Sequence, residues 1–435
     1  MDVPAGTGEQ DPKFHQRQVM KIAIISKADQ FGGGASRVAS ELATLLNAAG
    51  HLTDHWLSWA GSPWTPRMKS LYGSFQFPVR AANLCMRRIG FPELLPFELA
   101  ILLHRGRAWE YDLLHFHDIS SAISPQTLLW LSRRKPVVWT IHDCSPFTGG
   151  CLYPGSCTRF TNRCGGCPQL GGWPIDSWLD FTGFQQDNKR RLAASGRIHY
   201  SWPSAWMAST GYSSGMFHTP PEIIPYGIDL EIFHPQDKKA ARIQLGLPSE
   251  RTIVLLSAGS LMDVRKGVRF ALEAIQANRA LNPFVLLVGS PNPEIREQLS
   301  GLDVHEAGYI GDAHMLASHY AAADVFLFTS LADNLPLTVL ETMATGTPIV
   351  GYETGGIPEM VVQNETGLLV PQDDDKGLAE ALARAILNPD LRQRWAANGI
   401  ERARHHYSYD HFLGNHLTLY ERLIAARQSP VAQAG

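Results

Sequence analysis

The sequence predicts an α/β protein made of two doubly wound, Rossmann-like domains that face a central cleft. Three observations lead there. Residues 19–26 (VMKIAIIS) form a short apolar run, followed by Gly32-Gly33-Gly34 and then by ASRVASELATLLNAAG with apolar residues at helical spacing. Strand, glycine loop and helix in that order open a doubly wound domain. The same pattern restarts at residues 252–258 (TIVLLSA), with a helix from about Lys266. Finally, 435 residues are too many for one ordinary core and suit two domains of roughly 200 residues each.

In chain order, residues 1–18 are polar and read as a flexible tail, not a secretory signal. An N-terminal domain over 19–223 has further strands at 113–117 and 137–142, and around 198–202, with a cysteine-rich loop at 144–167. The prolines and turn residues of IPYGIDLEIFHP, residues 224–235, suit an interdomain hinge. A C-terminal domain over 236–408 adds strands at 284–289 and 325–329. Residues 409–435 form a terminal helix, amphipathic over about 409–427, and a tail. Ligands of such sheets sit beyond the carboxyl ends of the strands.

Apolar content of 44% and charged content of 18% are globular values, and a net charge of -3 gives no reason to expect a nucleic-acid partner. No stretch approaches the roughly 20 apolar residues of a membrane span. The expected location is cytoplasmic, where cysteines stay reduced.

The segment SLADNLPLTVLETMATGTPIVGYETGG, residues 330–356, places Asp333 and Glu341 either side of a strand-to-helix turn. Carboxylates accept hydrogen bonds from ribose or sugar hydroxyls, and the helix start offers N–H groups to a phosphate. A capping Asp and a solvated helix Glu are the plainer alternative. Arg265 and Lys266 enter a helix one strand away, where two cations would neutralise a diphosphate; a solvated basic turn is the alternative. Gly33 and Gly34 let backbone amides approach a phosphate, as does the ETGGIP loop with Gly355 and Gly356, although a plain tight turn reads equally well. His142, beside Asp143, ends a strand and could bond a reacting sugar; no GxSxG elbow accompanies it. His115 and His117 alternate onto one strand face, as metal ligands or as satisfied structural histidines.

Cys151, Cys157, Cys164 and Cys167 crowd into one loop and suit a structural zinc, with disulfides or unligated thiols as the alternatives. Such a metal would stabilise the loop and leave no open position for chemistry. Arg80, Arg87, Arg88, Arg105 and Arg107 lie among apolar residues, as on a surface facing an anionic membrane or as snorkelling side chains of a core-facing helix pair. No catalytic metal is expected: no DxD follows a donor-domain strand, and Asp373-Asp374-Asp375 fits a helix cap.

From these motifs together the chain resembles the retaining sugar-nucleotide glycosyltransferases of family 4 (group 1), with the GT-B fold. IPYGIDLEIFHP, RKG, the acidic pair, ATGTPIV, GGIPE and TGLLVP occur in that family's order, and HDCSPFTGGC with its cysteine loop resembles the bacterial exopolysaccharide and colanic-acid branch. The resemblance implies a nucleoside-diphosphate sugar as donor and a saccharide or lipid-linked oligosaccharide as acceptor, with contact at the cytoplasmic membrane face. It implies that Glu341 binds the donor ribose, that Asp333 faces the sugar, and that Arg265 and Lys266 meet the diphosphate. It places Gly33, Gly34, Leu337, Thr338, Gly355 and Gly356 around the donor and His142 near the transferred sugar. Two positions depart from the family: Asp333 stands where Glu is usual, and Ser260 where Arg is common. A non-catalytic sugar-nucleotide-binding protein and a sugar-nucleotide epimerase share the fold and are the competing functions.

Overall fold

A computed structural model describes residues 18–104, 108–259, 261 and 263–428. Ser260, Arg105 and Arg107, and nearly all of the two expected tails, lie outside the described residues.

The N-terminal lobe is a parallel sheet of seven strands: β1 (Lys21–Ala28), β2 (Leu52–Trp59), β3 (Met68–Ser70), β4 (Leu113–Phe116), β5 (Val137–Thr140), β6 (Ile198–Trp202) and β7 (Glu222–Ile223), in the order β3-β2-β1-β4-β5-β6-β7. The C-terminal lobe has six parallel strands: β8 (Ile253–Ser257), β9 (Phe284–Val288), β10 (Asp303–Gly308), β11 (Val325–Phe328), β12 (Ile349–Tyr352) and β13 (Gly367–Val370), in the order β10-β9-β8-β11-β12-β13. Both lobes are doubly wound, with order reversals beside β1 and beside β8, and together they form a GT-B fold.

Central strands are buried on both faces, which is why they read as unbroken apolar runs: Ile22 through Ile25 are fully buried. The helix Gly34–Ala48 buries Val38, Ala39, Leu42, Ala43 and Leu46 against this sheet, and the chain turns away at Gly50 with φ 87°. The helix expected from about Lys266 runs Val268–Ala277. Residues Val264–Lys266 form a 3-10 turn, and Gly267 at φ 60° redirects the chain because a Cβ there would lie 2.1 Å from the Thr329 carbonyl. Asp374 caps the helix Asp375–Leu387 through the Gly377 N–H, as the acidic run suggested.

One apolar core runs through both lobes. It joins Ile22, Ile24 and Leu113 of the first sheet to Ile253, Phe326 and Leu340 of the second by way of Tyr226, Ile228 and Phe233 in the hinge. The helix Tyr409–Gln428 returns across that hinge onto the first lobe. Its Tyr420 hydroxyl meets His115 Nδ1 at 2.5 Å, and Gly227 permits the crossing, since a Cβ there would come within 2.7 Å of Phe412 Cβ.

His416 on this helix is buried, its Nδ1 shares a hydrogen bond with the Phe412 carbonyl at 2.9 Å, and its Nε2 has no hydrogen-bond partner among the described residues. Burial lowers its pKa to about 4. The unfolded chain therefore takes up a proton below about pH 6.5 while the folded chain does not until near pH 4, and His416 costs stability across that window as pH falls. Replacing it by Phe should give an advantage over wild type that grows by about 1.4 kcal/mol per pH unit from pH 6 toward 4. Urea denaturation at several pH values reads this, and parallel pH dependences of the two proteins would contradict a buried neutral imidazole.

Candidate functional site in the interlobe cleft

The carboxyl ends of both sheets open on one cleft of about 1050 Å³. The N-terminal lobe supplies Gly33, Gly34 and Arg37 after β1, Asp118 after β4, and His142 and Asp143 after β5. The C-terminal lobe supplies Arg265 and Lys266 after β8 and Asp333 after β11, with Leu337, Thr338 and Glu341 on the helix Leu337–Ala344. Gly33 holds φ 103° at the mouth of its helix, a conformation that favours glycine.

Asp333 is not a helix cap: Pro336 occupies that position without a side-chain bond. Its Oδ2 accepts from Lys266 Nζ at 2.7 Å and from Ser330 Oγ at 3.0 Å. Nor is Glu341 solvated, being only 1% exposed. Its Oε1 lies 2.7 Å from Arg37 Nη1, an ion pair that spans the cleft, while Arg37 Nε bonds Glu41 at 2.7 Å. Burial lifts the Glu341 carboxyl above its usual range and Arg37 opposes that lift. Burial likewise works against the charged Arg37, but Glu341 and Glu41 outweigh it and hold the guanidinium protonated. Arg265 is clamped by Asp263 at 2.5 Å and lies over the ring of Tyr153, 5.4 Å from its centroid, so it too reaches across to the cysteine loop of the other lobe.

His142 has both ring nitrogens engaged. Nδ1 meets the Tyr226 hydroxyl at 2.6 Å and Nε2 meets His117 Nδ1 at 3.0 Å. Burial, with a smaller contribution from His416, lowers its pKa to about 3, so the ring is neutral near pH 7. It can orient a sugar hydroxyl by exchanging a partner, but it cannot offer a positive charge. Asp143 beside it is pushed up to about 6, chiefly by burial. His115 bonds Tyr420 and Thr140, and His117 bonds His142, so these two are bound up in the interior.

Gly355 and Gly356 are not among the residues lining the cleft. They pack behind it: a Cβ on Gly355 would lie 1.7 Å from the Asp333 carbonyl oxygen, and one on Gly356 2.1 Å from that of Asn334. They shape the acidic turn from the rear, whereas the sequence reading set them against the donor. Residues that reading passed over are Arg37, Tyr153 and Asn334, and it took Tyr226 only as part of the hinge. Asn334 joins the lobes, its Nδ2 donating to the His142 carbonyl at 3.0 Å and its Oδ1 accepting from Ser204 Oγ at 2.6 Å.

Cys151, Cys157, Cys164 and Cys167 all border one small separate cavity of about 20 Å³, as free thiols. Burial raises the pKa of Cys151 to about 12 and pushes Cys164 and Cys167 upward. Among the described residues no three His, Cys, Asp or Glu stand arranged to hold a metal ion.

Residues 32–232 match the family model described as Glycosyltransferase Family 4, and residues 252–388 the one described as Glycosyl transferases group 1. A D-inositol 3-phosphate glycosyltransferase of Saccharomonospora viridis is 33% identical over 338 residues, 73% of this chain and 71% of that protein. The chain belongs to the group 1 glycosyltransferases. A protein of the same name from Nocardioides sp. is 34% identical over 226 residues, 47% of this chain and 49% of its own length. The chain thus spans about half the length of the first curated relatives it matches. Sucrose-phosphate synthase of Thermosynechococcus elongatus shares the fold at a TM-score of 0.71 and 22% identity, covering 94% of this chain and all (100%) of that one.

In this group 1 glycosyltransferase the acidic turn depends on Gly355, whose φ of 58° and contact with Asp333 leave no room for a side chain. Gly355→Ala should destabilise the fold by more than about 1 kcal/mol and displace Asp333 from Lys266. A denaturant midpoint equal to that of wild type would show that the turn tolerates a Cβ.

Proposed function

We propose that the chain is a retaining glycosyltransferase that moves a hexosyl or deoxyhexosyl group from a nucleoside-diphosphate sugar to a saccharide or lipid-linked saccharide, in the synthesis of cell-surface or exported polysaccharide. The observation that carries this reading is the placement of Lys266 and Glu341 in one cleft, opposite Gly33 and Gly34. Glu341 would take the ribose hydroxyls; a carboxylate accepts up to about four hydrogen bonds, so its pairing with Arg37 leaves capacity for them. Lys266, Arg265 and the amides at Leu337 and Thr338 would take the diphosphate, and Asp333 and His142 the sugar.

In the proposed reaction the bond from the anomeric carbon to the diphosphate oxygen breaks as Lys266 and Arg265 absorb the developing charge. The acceptor hydroxyl attacks from the face the diphosphate is leaving, so configuration is kept. A new carbon–oxygen bond forms, and the hydroxyl proton passes to the departing phosphate oxygen. No nucleophilic side chain is required. Contacts between the lobes at Arg37, Asn334 and Arg265 would keep water from the activated sugar.

The relatives' names favour a second acceptor, a small phosphorylated polyol. Purified protein incubated with UDP-, GDP- and ADP-sugars, with and without candidate acceptors, should release a nucleoside diphosphate and form product from one of them. No release from any donor would favour a non-catalytic binding protein, and an epimerised sugar without acceptor would favour an epimerase. Removing a preorganised charge-stabilising group costs on the order of 100- to 1000-fold in turnover in other enzymes. Lys266→Ala should therefore lose at least about tenfold in turnover with an unchanged melting temperature, and wild-type turnover would remove Lys266 from the diphosphate site.

For the cysteine loop we propose a structural zinc held by Cys151, Cys157, Cys164 and Cys167. What supports it is that the four border one cavity and that the Cys164 sulfur already accepts the Gly149 N–H at 3.3 Å. Rotation of the thiols toward that cavity would complete the ligand set, and the ion would add stability, not chemistry. Protein purified under reducing conditions should contain about one zinc per chain by elemental analysis, and metal-free protein of full stability would overturn the proposal.

A further inference from the structure

We infer that Arg37 is the positioning residue of the nucleoside end of the cleft: reaching over from the first lobe, it fixes Glu341 so that both ribose hydroxyls of a donor are read, and read only while the lobes are together. The inference rests on the proposed role of Glu341 as the ribose ligand and deepens it.

A carboxylate withdrawn from water must be paired or neutralised. Glu341 is buried, and the helix that carries it, LTVLETMA, has no cation of its own. The cation comes from the other lobe, where Arg37 Nη1 stands 2.7 Å from Glu341 Oε1. Arg37 is itself anchored. Its Nε donates to Glu41 Oε1 one turn along the same helix at 2.7 Å. A guanidinium can serve two carboxylates at once because its donors form a rigid planar fork.

A plain fastening between lobes would explain an ion pair. It does not explain two further observations. Arg37 and Glu341 both line the cleft. Glu341 Oε1, although shut off from water, has no aligned hydrogen-bond donor among the described residues. An interior oxygen in that state lacks a partner, and a ligand hydroxyl supplies one. Leu337 and Thr338, whose amides are proposed for the diphosphate, lie about one turn earlier on the same helix. Ribose and diphosphate would then fall at neighbouring places.

Glu41 and Glu341 share the one guanidinium. Burial raises both carboxyls above their ordinary range, and Glu341 adds to the rise at Glu41. Tyr320, on the helix Ala313–Ala322, and Tyr409, on the returning C-terminal helix, also face this group. Burial keeps both phenols protonated, so they bring no charge. Without Arg37, two buried carboxylates would be left side by side, and one would take up a proton. A protonated carboxyl uses one oxygen as a donor and can no longer accept from both hydroxyls. Because Arg37 and Glu341 belong to different lobes, separating the lobes would withdraw the guanidinium. Recognition of ribose is therefore a property of the closed cleft.

The test is calorimetric titration of the full chain with UDP, GDP and ADP and with their 2′-deoxy counterparts, from about pH 6 to about pH 9. A site built around a hydroxyl rejects the analogue that lacks it, so wild type should favour the ribose form of the nucleotide it binds by at least about tenfold at every pH. Arg37→Gln should lose most of that preference near pH 6 and regain it toward pH 9, as Glu341 ionises. Arg37→Lys, which keeps the charge, should keep the preference at every pH, and so should Glu41→Gln, which leaves Arg37 to Glu341. A second reading needs no ligand. In Arg37→Gln the buried carboxyls hold protons that the unfolded chain releases above about pH 4.5, so its melting temperature should fall as pH rises. Adding Glu341→Gln should make that fall shallower. Full ribose preference in Arg37→Gln at low pH, or parallel melting curves for the single and double variants, would overturn the inference while leaving the donor site in place. A wild type that binds none of the nucleotides would remove the donor reading and the ribose role of Arg37 together.

Discussion

The side chain of Asn334 is the bond on which the site's geometry turns. It is buried between the lobes, donating to the backbone of His142 and accepting from Ser204. Asp333 precedes it, so whatever fixes Asn334 also fixes the carboxylate that faces Lys266. Gly355 and Gly356 press on the same turn from behind, their missing side chains making room for the carbonyls of Asp333 and Asn334. Glu359 adds a nearby tie, its carboxylate accepting the Ala205 and Trp206 N–H groups at the start of the helix Ala205–Tyr212. A buried amide satisfied on both sides tolerates little displacement, because each lost partner would leave a polar group unpaired in the interior. The position of one lobe against the other is thereby set at the same residues that would hold the sugar.

Around that bond the interior holds a group of buried histidines and tyrosines. His115, His117, His142 and His416 lie close together, joined to one another and to Tyr226 and Tyr420 by ring contacts and hydrogen bonds. Burial drives their pKa values down, so the group is a set of neutral donors and acceptors and not a store of charge. Neutral imidazoles can link the hinge, the first sheet and the returning C-terminal helix by directional bonds, where aliphatic side chains would allow sliding. His142 is therefore better understood as the cleft-side end of a structural network than as an isolated catalytic base.

Much of the fold could be read from the chain because its central strands are buried on both faces. β1, β8, β9 and β11 announce themselves as apolar runs, and the glycine loop with the helix after it fixes the winding. β2 was missed for a physical reason: Thr53, Asp54, His55 and Ser58 are buried within it. Their polarity is masked by partners distant in sequence, Tyr111 for Asp54 and Ser26 for His55. β10 was missed because it is an edge strand with no buried residue. In the site, the carboxylates and cations were legible as residue types at helix entries, but their partners were not. Arg37 reads as one charge in an amphipathic helix, and only folding brings it to Glu341. Gly355 and Gly356 carry a second constraint that the sequence does not display: besides offering amides, paired glycines here relieve a collision between two backbone segments.

The pairing of charges in the cleft bears on how an anion would be held there. Lys266 faces Asp333, Arg265 faces Asp263, and Arg37 faces Glu341 and Glu41. Each cation is thus held in place by a carboxylate, which limits both repulsion between the cations and the rotamer freedom of long side chains. A diphosphate entering this cleft would compete with those carboxylates for the same donors. Its gain in ion pairing is then a difference between two partners, smaller than the attraction of a free cation would suggest. That difference grows as a leaving group acquires charge, because Asp333 carries the same charge throughout while the phosphate oxygen becomes more negative. Lys266 would shift toward the phosphate in step with bond breaking, and under the proposed function the pair would then favour the transition state over the bound substrate. The shorter Asp in place of Glu is compatible with this exchange, since a carboxylate anchored by Ser330 and Lys266 needs no further reach to do it.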